Sequence, residues 1–245
     1  METVTSGQEL RAFSEGDIET WSTILKNHTQ TRENQVFYIF AEGVAALDLR
    51  PDEIPSIEKV NQKLSTMTGW QGVLVDGLED GQNFYKMLAN KKFPIGNFIR
   101  DKKDLTYTPE PDIVHDLYGH MPFFVNSKYA NFCERFGREA MEFIDRPEML
   151  RQFERFFWFT IEFGLIKTRE GNRVFGAGIA SSTGECEYAL SAVPEVLPFD
   201  IDRIRKQEFR IDQMQNRLFI LENEDQLYES LEELVRRVNQ EARGK

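Results

Sequence analysis

Residues 109–124, PEPDIVHDLYGHMPFF, contain two of the three histidines in the chain, His115 and His120. Imidazole binds zinc, iron, copper and nickel alike, so the pair suggests a metal site without naming the metal. Two histidines five apart also arise by chance. On an α-helix they are separated by about 500° of rotation, roughly 140° net, and do not share a face. The spacing therefore predicts a frayed helix end, where Gly119 and Pro122 let the backbone turn His120 back towards His115. A third ligand is offered by Glu162 in FERFFWFTIEFGLI. An ionised carboxylate in so apolar a stretch is costly unless a cation or hydrogen-bond donors meet it. Arg155 and Arg173 are the alternative partners, and a metal ion is the other solution. Two histidines and one carboxylate would form the facial triad that leaves coordination positions open and is diagnostic of non-haem Fe(II) oxygen chemistry.

The elements that must position these residues are mostly helical. Ile18, Trp21, Ile24 and Leu25 fall at i, i+3, i+6 and i+7, an amphipathic stripe that His28 continues, so His28 is read as a packing or surface residue. VFYIFAEGVAALDL predicts a second helix, and IPSIEKVNQKLSTMTGW one that starts at Ser56 with Glu58 in its first turn. WQGVLVDGLEDGQNF reads as a strand leading into a loop, and FPIGNFIR as another strand. RPEMLRQFERFFWFTIEFGLIK predicts one long helix, GNRVFGAGIASS a turn and strand, and DQLYESLEELVRRVNQEARGK a polar final helix. No repeat or Ser/Gly/Pro-rich linker divides the chain. The expected class is mostly α with a small β component.

Composition limits the function. Of 245 residues, 40% are hydrophobic and 29% charged, as in an ordinary globular protein. Lys and Arg number 30 against 41 Asp and Glu, a net charge of −11, which disfavours nucleic acid and anionic membrane as partners. Two cysteines make no disulfide framework, no apolar run is long enough to span a membrane, and no signal peptide is visible. A cytoplasmic protein is expected.

PEPDIVHDLYGH, FFWFTIEFGLIK and VFGAGIASSTGECEYALS, in this order and spacing, resemble the catalytic domain of the pterin-dependent aromatic amino acid hydroxylases. The likeness extends through TWSTI, IPSIEKVNQKLSTMTGW and the segment from Arg100 to Thr108. It implies that family's fold, with a tail over 1–14, one catalytic domain over 15–245, no regulatory or tetramerisation domain, and a monomer. It implies Fe(II) on His115, His120 and Glu162, a tetrahydropterin of biopterin or monapterin type, and O2 as co-substrate. Arg100, Thr108 and Ser181 would hold the substrate carboxylate, with Asp112 fixing Arg100. Pro111, Trp158, Phe163 and the His115 face would flank the ring, and Gly178 would leave space for it. Gly77, Leu78, Phe84 and Asp116 would face the pterin, although Asp116, Glu79, Gly81 and Glu154 depart from the animal pattern. Ile211 matches a position that is apolar where the substrate ring is unhydroxylated, so conversion of L-Phe to L-Tyr is the expected reaction. Trp 5-hydroxylation and Phe 3-hydroxylation are alternatives within the family. A zinc hydrolase, which lacks its usual HExxH helix here, and a non-catalytic amino-acid-binding module are alternatives outside it.

Overall fold

A computed structural model describes residues 11–77, 79–103, 105 and 111–243. Helix α1 (Glu15–Gln35) opens on a capping box in which the Ser14 hydroxyl accepts from Asp17 N and the Asp17 carboxylate accepts from Ser14 N. Its buried face is Thr20, Trp21, Ile24, Leu25 and His28, the stripe its spacing predicts. Helices α2 (Tyr38–Leu47) and α3 (Ile57–Met67) follow, and Ser56 caps α3. Strands β1 (Gln71–Val75) and β2 (Lys92–Gly96) pair in parallel, which demands a crossover; α4 (Gly81–Ala89) supplies it.

The chain then enters the segment that holds the histidines. Val114–His120 is a π-helix, continued by a tight 3-10 turn over Met121–Val125. Helix α5 (Ser127–Met141) packs on α4, and α6 (Pro147–Phe157) runs directly into a second π-helical turn, Trp158–Glu162. The long helix expected from RPEMLRQFERFFWFTIEFGLIK is therefore three pieces, because β3 (Leu165–Thr168) begins where the apolar run becomes β-capable. Strand β4 (Gly171–Val174) forms a hairpin with β3, but the rest of GNRVFGAGIASS is helical as α7 (Ala177–Ala180). Helix α8 (Thr183–Ala189), β5 (Glu195–Pro198), α9 (Ile201–Ile204), β6 (Arg217–Leu221) and α10 (Glu224–Arg243) complete the described chain. The larger sheet has the order β4-β3-β6-β5.

One contiguous apolar cluster fills the interior, dominated by aromatic rings such as Trp21, Phe40, Trp70, Phe123 and Phe136. Most of the phenylalanines thus serve packing. Gly43 shows how tightly α2 is pressed onto the turn after His120: a Cβ there would lie 2.0 Å from the Pro122 carbonyl oxygen. Both cysteines, Cys133 and Cys186, are buried free thiols.

Candidate metal and substrate site

The π-helix resolves the geometric problem posed by the five-residue spacing. Hydrogen bonds closing i→i+5 widen the turn so that a residue stands over the one five positions on. His115 and His120 consequently share a face, with ring centroids 5.0 Å apart. A frayed helix end is not what turns His120 round; the widened helix does so without interruption. The second π-turn brings Glu162 to the same point. Its Oε1 lies 3.0 Å from His115 Nε2 and its Oε2 3.0 Å from His120 Nε2. Neither alternative partner is engaged there: Arg155 pairs with Glu208 and Arg173 with Glu170.

These donor atoms fit a metal ion. Two ligands held about 2.1 Å from one ion at right angles lie about 3.0 Å apart, the separation found for both imidazole–carboxylate pairs. All three ligand groups offer atoms within 4.8 Å of one another. One ring and the backbone of the other histidine are held from outside. His120 stacks on Phe93 at 4.4 Å, and the His115 backbone N–H donates to Asp112 Oδ1 at 3.0 Å. Burial would raise the Glu162 pKa, but the two imidazoles outweigh it and hold the carboxyl well below its usual range. Burial opposes charge on His115 too, yet Glu162, Asp116 and Asp112 raise it to about 9, while burial lowers His120. A cation at this point replaces that proton as the counter-charge, since ligating imidazole is neutral.

Above the triad lies a cavity of about 720 Å³. It brings together Gly77, Phe84, Arg100, Pro111, Asp116, Trp158, Phe163, Gly178 and Ser181 with the three ligands. Leu78 and Thr108 lie outside the described residues. Arg100 donates to Asp112 through N, Nε and Nη2 at 2.8, 2.9 and 2.7 Å, a buried pair that leaves Nη1 for a ligand. Ionisation of Asp112 is opposed by burial but favoured more strongly by Arg100, so its pKa is lowered. Asp116 Oδ2 accepts from Gly96 N at 2.8 Å, and burial raises its pKa to about 7. Phe84 meets Phe157 edge-on at 5.2 Å. Ser181 donates its hydroxyl hydrogen to the Gly178 carbonyl, so its oxygen lone pairs are what it offers the cavity. Gly178 is also needed beside Glu162: a Cβ there would lie 2.5 Å from Glu162 Oε1 and displace that carboxylate.

The structure adds residues that motif reading did not single out. Phe209 stacks on Trp158 at 4.2 Å, and Phe163 meets the same indole at 4.5 Å, so two rings hold it. Phe209 is 51 positions from Trp158 in sequence, and no local pattern links them. Ile211, which the resemblance had already singled out, lines the cavity while remaining 60% exposed, as expected of a residue at its mouth. Glu185 also lines the cavity; its position three after Ser182 resembles an ordinary capping box, which conceals it.

A mononuclear non-haem metal centre beneath an aromatic cavity is the class this fold and site define. The family model for biopterin-dependent aromatic amino acid hydroxylases matches residues 6–243. Phenylalanine-4-hydroxylase of Chromobacterium violaceum is 37% identical over 227 residues, covering 92% of this chain and 76% of that protein. The Pseudomonas aeruginosa phenylalanine-4-hydroxylase is 31% identical, covering 94% and 87%. A crystal structure of the C. violaceum enzyme with iron(III) and 7,8-dihydrobiopterin superposes with a TM-score of 0.88 at 35% identity, covering 94% of this chain and 85% of that one. Another, with iron and phenylalanine bound, gives 0.86 at 34% over the same shares. The chain belongs to the biopterin-dependent aromatic amino acid hydroxylase family.

Proposed function

We propose that this protein is an Fe(II)- and tetrahydropterin-dependent monooxygenase that converts L-Phe to L-Tyr. The observation that carries the reading is the convergence of His115, His120 and Glu162 on one point at the floor of an aromatic cavity walled by the Arg100–Asp112 pair. Iron and tetrahydropterin, when bound, supply the oxygen activation and the electrons that ring hydroxylation requires.

The chain's own residues do the rest. His115, His120 and Glu162 would hold the ion at the floor of the cavity. Arg100 takes the substrate carboxylate through its free edge, and Asp112 fixes the guanidinium so that little rotamer freedom is lost on binding. Thr108 and Ser181 add neutral hydrogen bonds to the same carboxylate, Ser181 by turning its hydroxyl away from the Gly178 carbonyl. Pro111, Trp158 and Phe163 flank the ring and exclude water, with Phe209 stacked on the Trp158 indole. Gly178 leaves the Glu162 carboxylate room to sit on the ion. Phe84, Asp116 and Gly77 form the pterin side, where Asp116 is anchored by Gly96 N.

The reading is tested by supplying the Fe(II) protein with L-Phe, L-Trp and L-Tyr in separate reactions with tetrahydropterin and air. L-Tyr from L-Phe as the main product is expected. Faster turnover of L-Trp, or meta-hydroxylated Phe, overturns the substrate assignment. We propose further that the chain is a cytoplasmic monomer folded as one catalytic unit over 15–245. No helix among the described residues is long and apolar enough to cross a membrane, and their exposed large hydrophobics come from separate elements, including Ile18, Tyr38, Met67 and Val193. A stable oligomer in light scattering would contradict the monomer.

A further inference from the structure

We propose that the Glu185 carboxylate binds the α-ammonium group of the amino acid substrate, so that Glu185 and Arg100 together recognise a zwitterion. The inference rests on the substrate being an aromatic amino acid. Such a ligand brings a positive charge within one bond of the carbon bearing its carboxylate, and burying that charge unpaired is costly. The cavity therefore needs an anion on the side where Arg100 lies.

The other acids lining the cavity are already engaged or at a different end of it. Glu162 meets the two imidazoles, and Asp116 is tied to Gly96 N beside β2. Asp112, behind Arg100, is saturated by the guanidinium and by His115 N. Glu79, Asp80 and Glu154 belong to the start of α4 and to α6, the side occupied by Phe84. Glu185 remains, and it comes from the segment that supplies Gly178, Ser181 and Ser182 to the same wall.

Its environment is unusual for a carboxylate. Glu185 is only 8% exposed, yet among the described residues no donor is hydrogen-bonded to its side chain. In a capping box the acid three residues after the cap reaches back to the cap's N–H. Here Ser182 accepts from Glu185 N, but Ser182 N donates to Ile179 O at 3.0 Å, so the reciprocal bond is not made. The carboxylate is left facing the cavity. Burial raises its pKa to about 7, with His115 and Arg100 opposing the rise and Glu162 adding to it. An arriving ammonium supplies a counter-charge together with three donors.

The test is calorimetric binding to the iron-loaded protein, which needs no turnover. The ligands are L-Phe and 3-phenylpropanoate, which keeps the ring and carboxylate but lacks the ammonium. The wild type should bind L-Phe at least tenfold more tightly. Glu185→Gln, nearly isosteric, should weaken L-Phe tenfold or more and leave 3-phenylpropanoate within about twofold, abolishing the preference. Equal affinities in the wild type overturn the proposal, and so do equal losses for both ligands or no loss for either in the variant. Should the variant not fold, the wild-type comparison still decides against the proposal if the two ligands bind alike. Failure of wild-type turnover with every aromatic amino acid contradicts the functional reading instead, through a different measurement.

Discussion

At the residue scale the site consists of charges that only make sense in company. Glu162 is 7% exposed and meets both imidazoles, so its removal takes away a ligand and leaves two buried histidines without their anion. Glu162→Ala should lose bound iron by more than about 100-fold, since even outer-shell changes cost 10–100-fold. Near-stoichiometric iron in the purified variant, by elemental analysis, would place the carboxylate ligand elsewhere. Asp112 and Arg100 are a buried pair with side chains 0% and 3% exposed. Asp112→Ala should destabilise the fold by about 3–5 kcal/mol, because the guanidinium is left buried and unpaired. Urea denaturation reads this directly, and an unchanged midpoint would contradict it. His115, His120 and Glu162 stood out in the sequence by residue type and, for Glu162, by an apolar setting, whereas Arg100, among charged neighbours, was named only through the family resemblance. Phe209 and Glu185 were hidden, the one by distance along the chain and the other by a motif that explains it locally.

At the element scale, the ligands depend on two π-turns. Helical periodicity is judged against 3.6 residues per turn, and by that rule His115 and His120 diverge. The widened helix is maintained by tertiary packing: α2 presses on the following turn at Gly43, and α7 packs against Val114–His120. Such pressure leaves no trace in local propensity, which is why the π geometry was not legible while α1, α3 and β1 were. The same holds for the break of the long apolar run into α6, a π-turn and β3. Gly43→Ala sets a methyl group against the Pro122 backbone, which cannot move as a flexible side chain would. The expected cost is about 1–3 kcal/mol, with a loss of iron affinity as His120 shifts. Wild-type stability and iron content in this variant would show that the contact does not position the ligand.

At the scale of the whole molecule, the fold keeps a partly polar interior stable by holding certain groups uncharged. His28 is fully buried against Tyr118, with ring centroids 5.5 Å apart, and burial, aided by Arg32 and Arg100, lowers its pKa to about 4. In the unfolded chain it titrates near 6.5, so between about pH 6.5 and 4 the unfolded state binds the extra proton. The stability this residue contributes is complete above that window and is lost on acidification through it, by about 1.4 kcal/mol per pH unit. Denaturation midpoints at pH 7 and pH 5 should converge in His28→Leu relative to the wild type; parallel pH dependence in both would exclude His28 as the source. The surplus of acids, −11 overall, suits a protein whose ligand needs one placed arginine instead of a basic face. The central claim is that His115, His120 and Glu162 would hold the iron that supports hydroxylation of the L-Phe ring with an atom from O2. Reaction of the Fe(II) protein with L-Phe and tetrahydropterin under 18O2, followed by mass spectrometry, tests it most directly. L-Tyr two mass units heavier is the predicted product, absent with Glu162→Ala; unlabelled tyrosine, or no hydroxylated amino acid, would contradict the account.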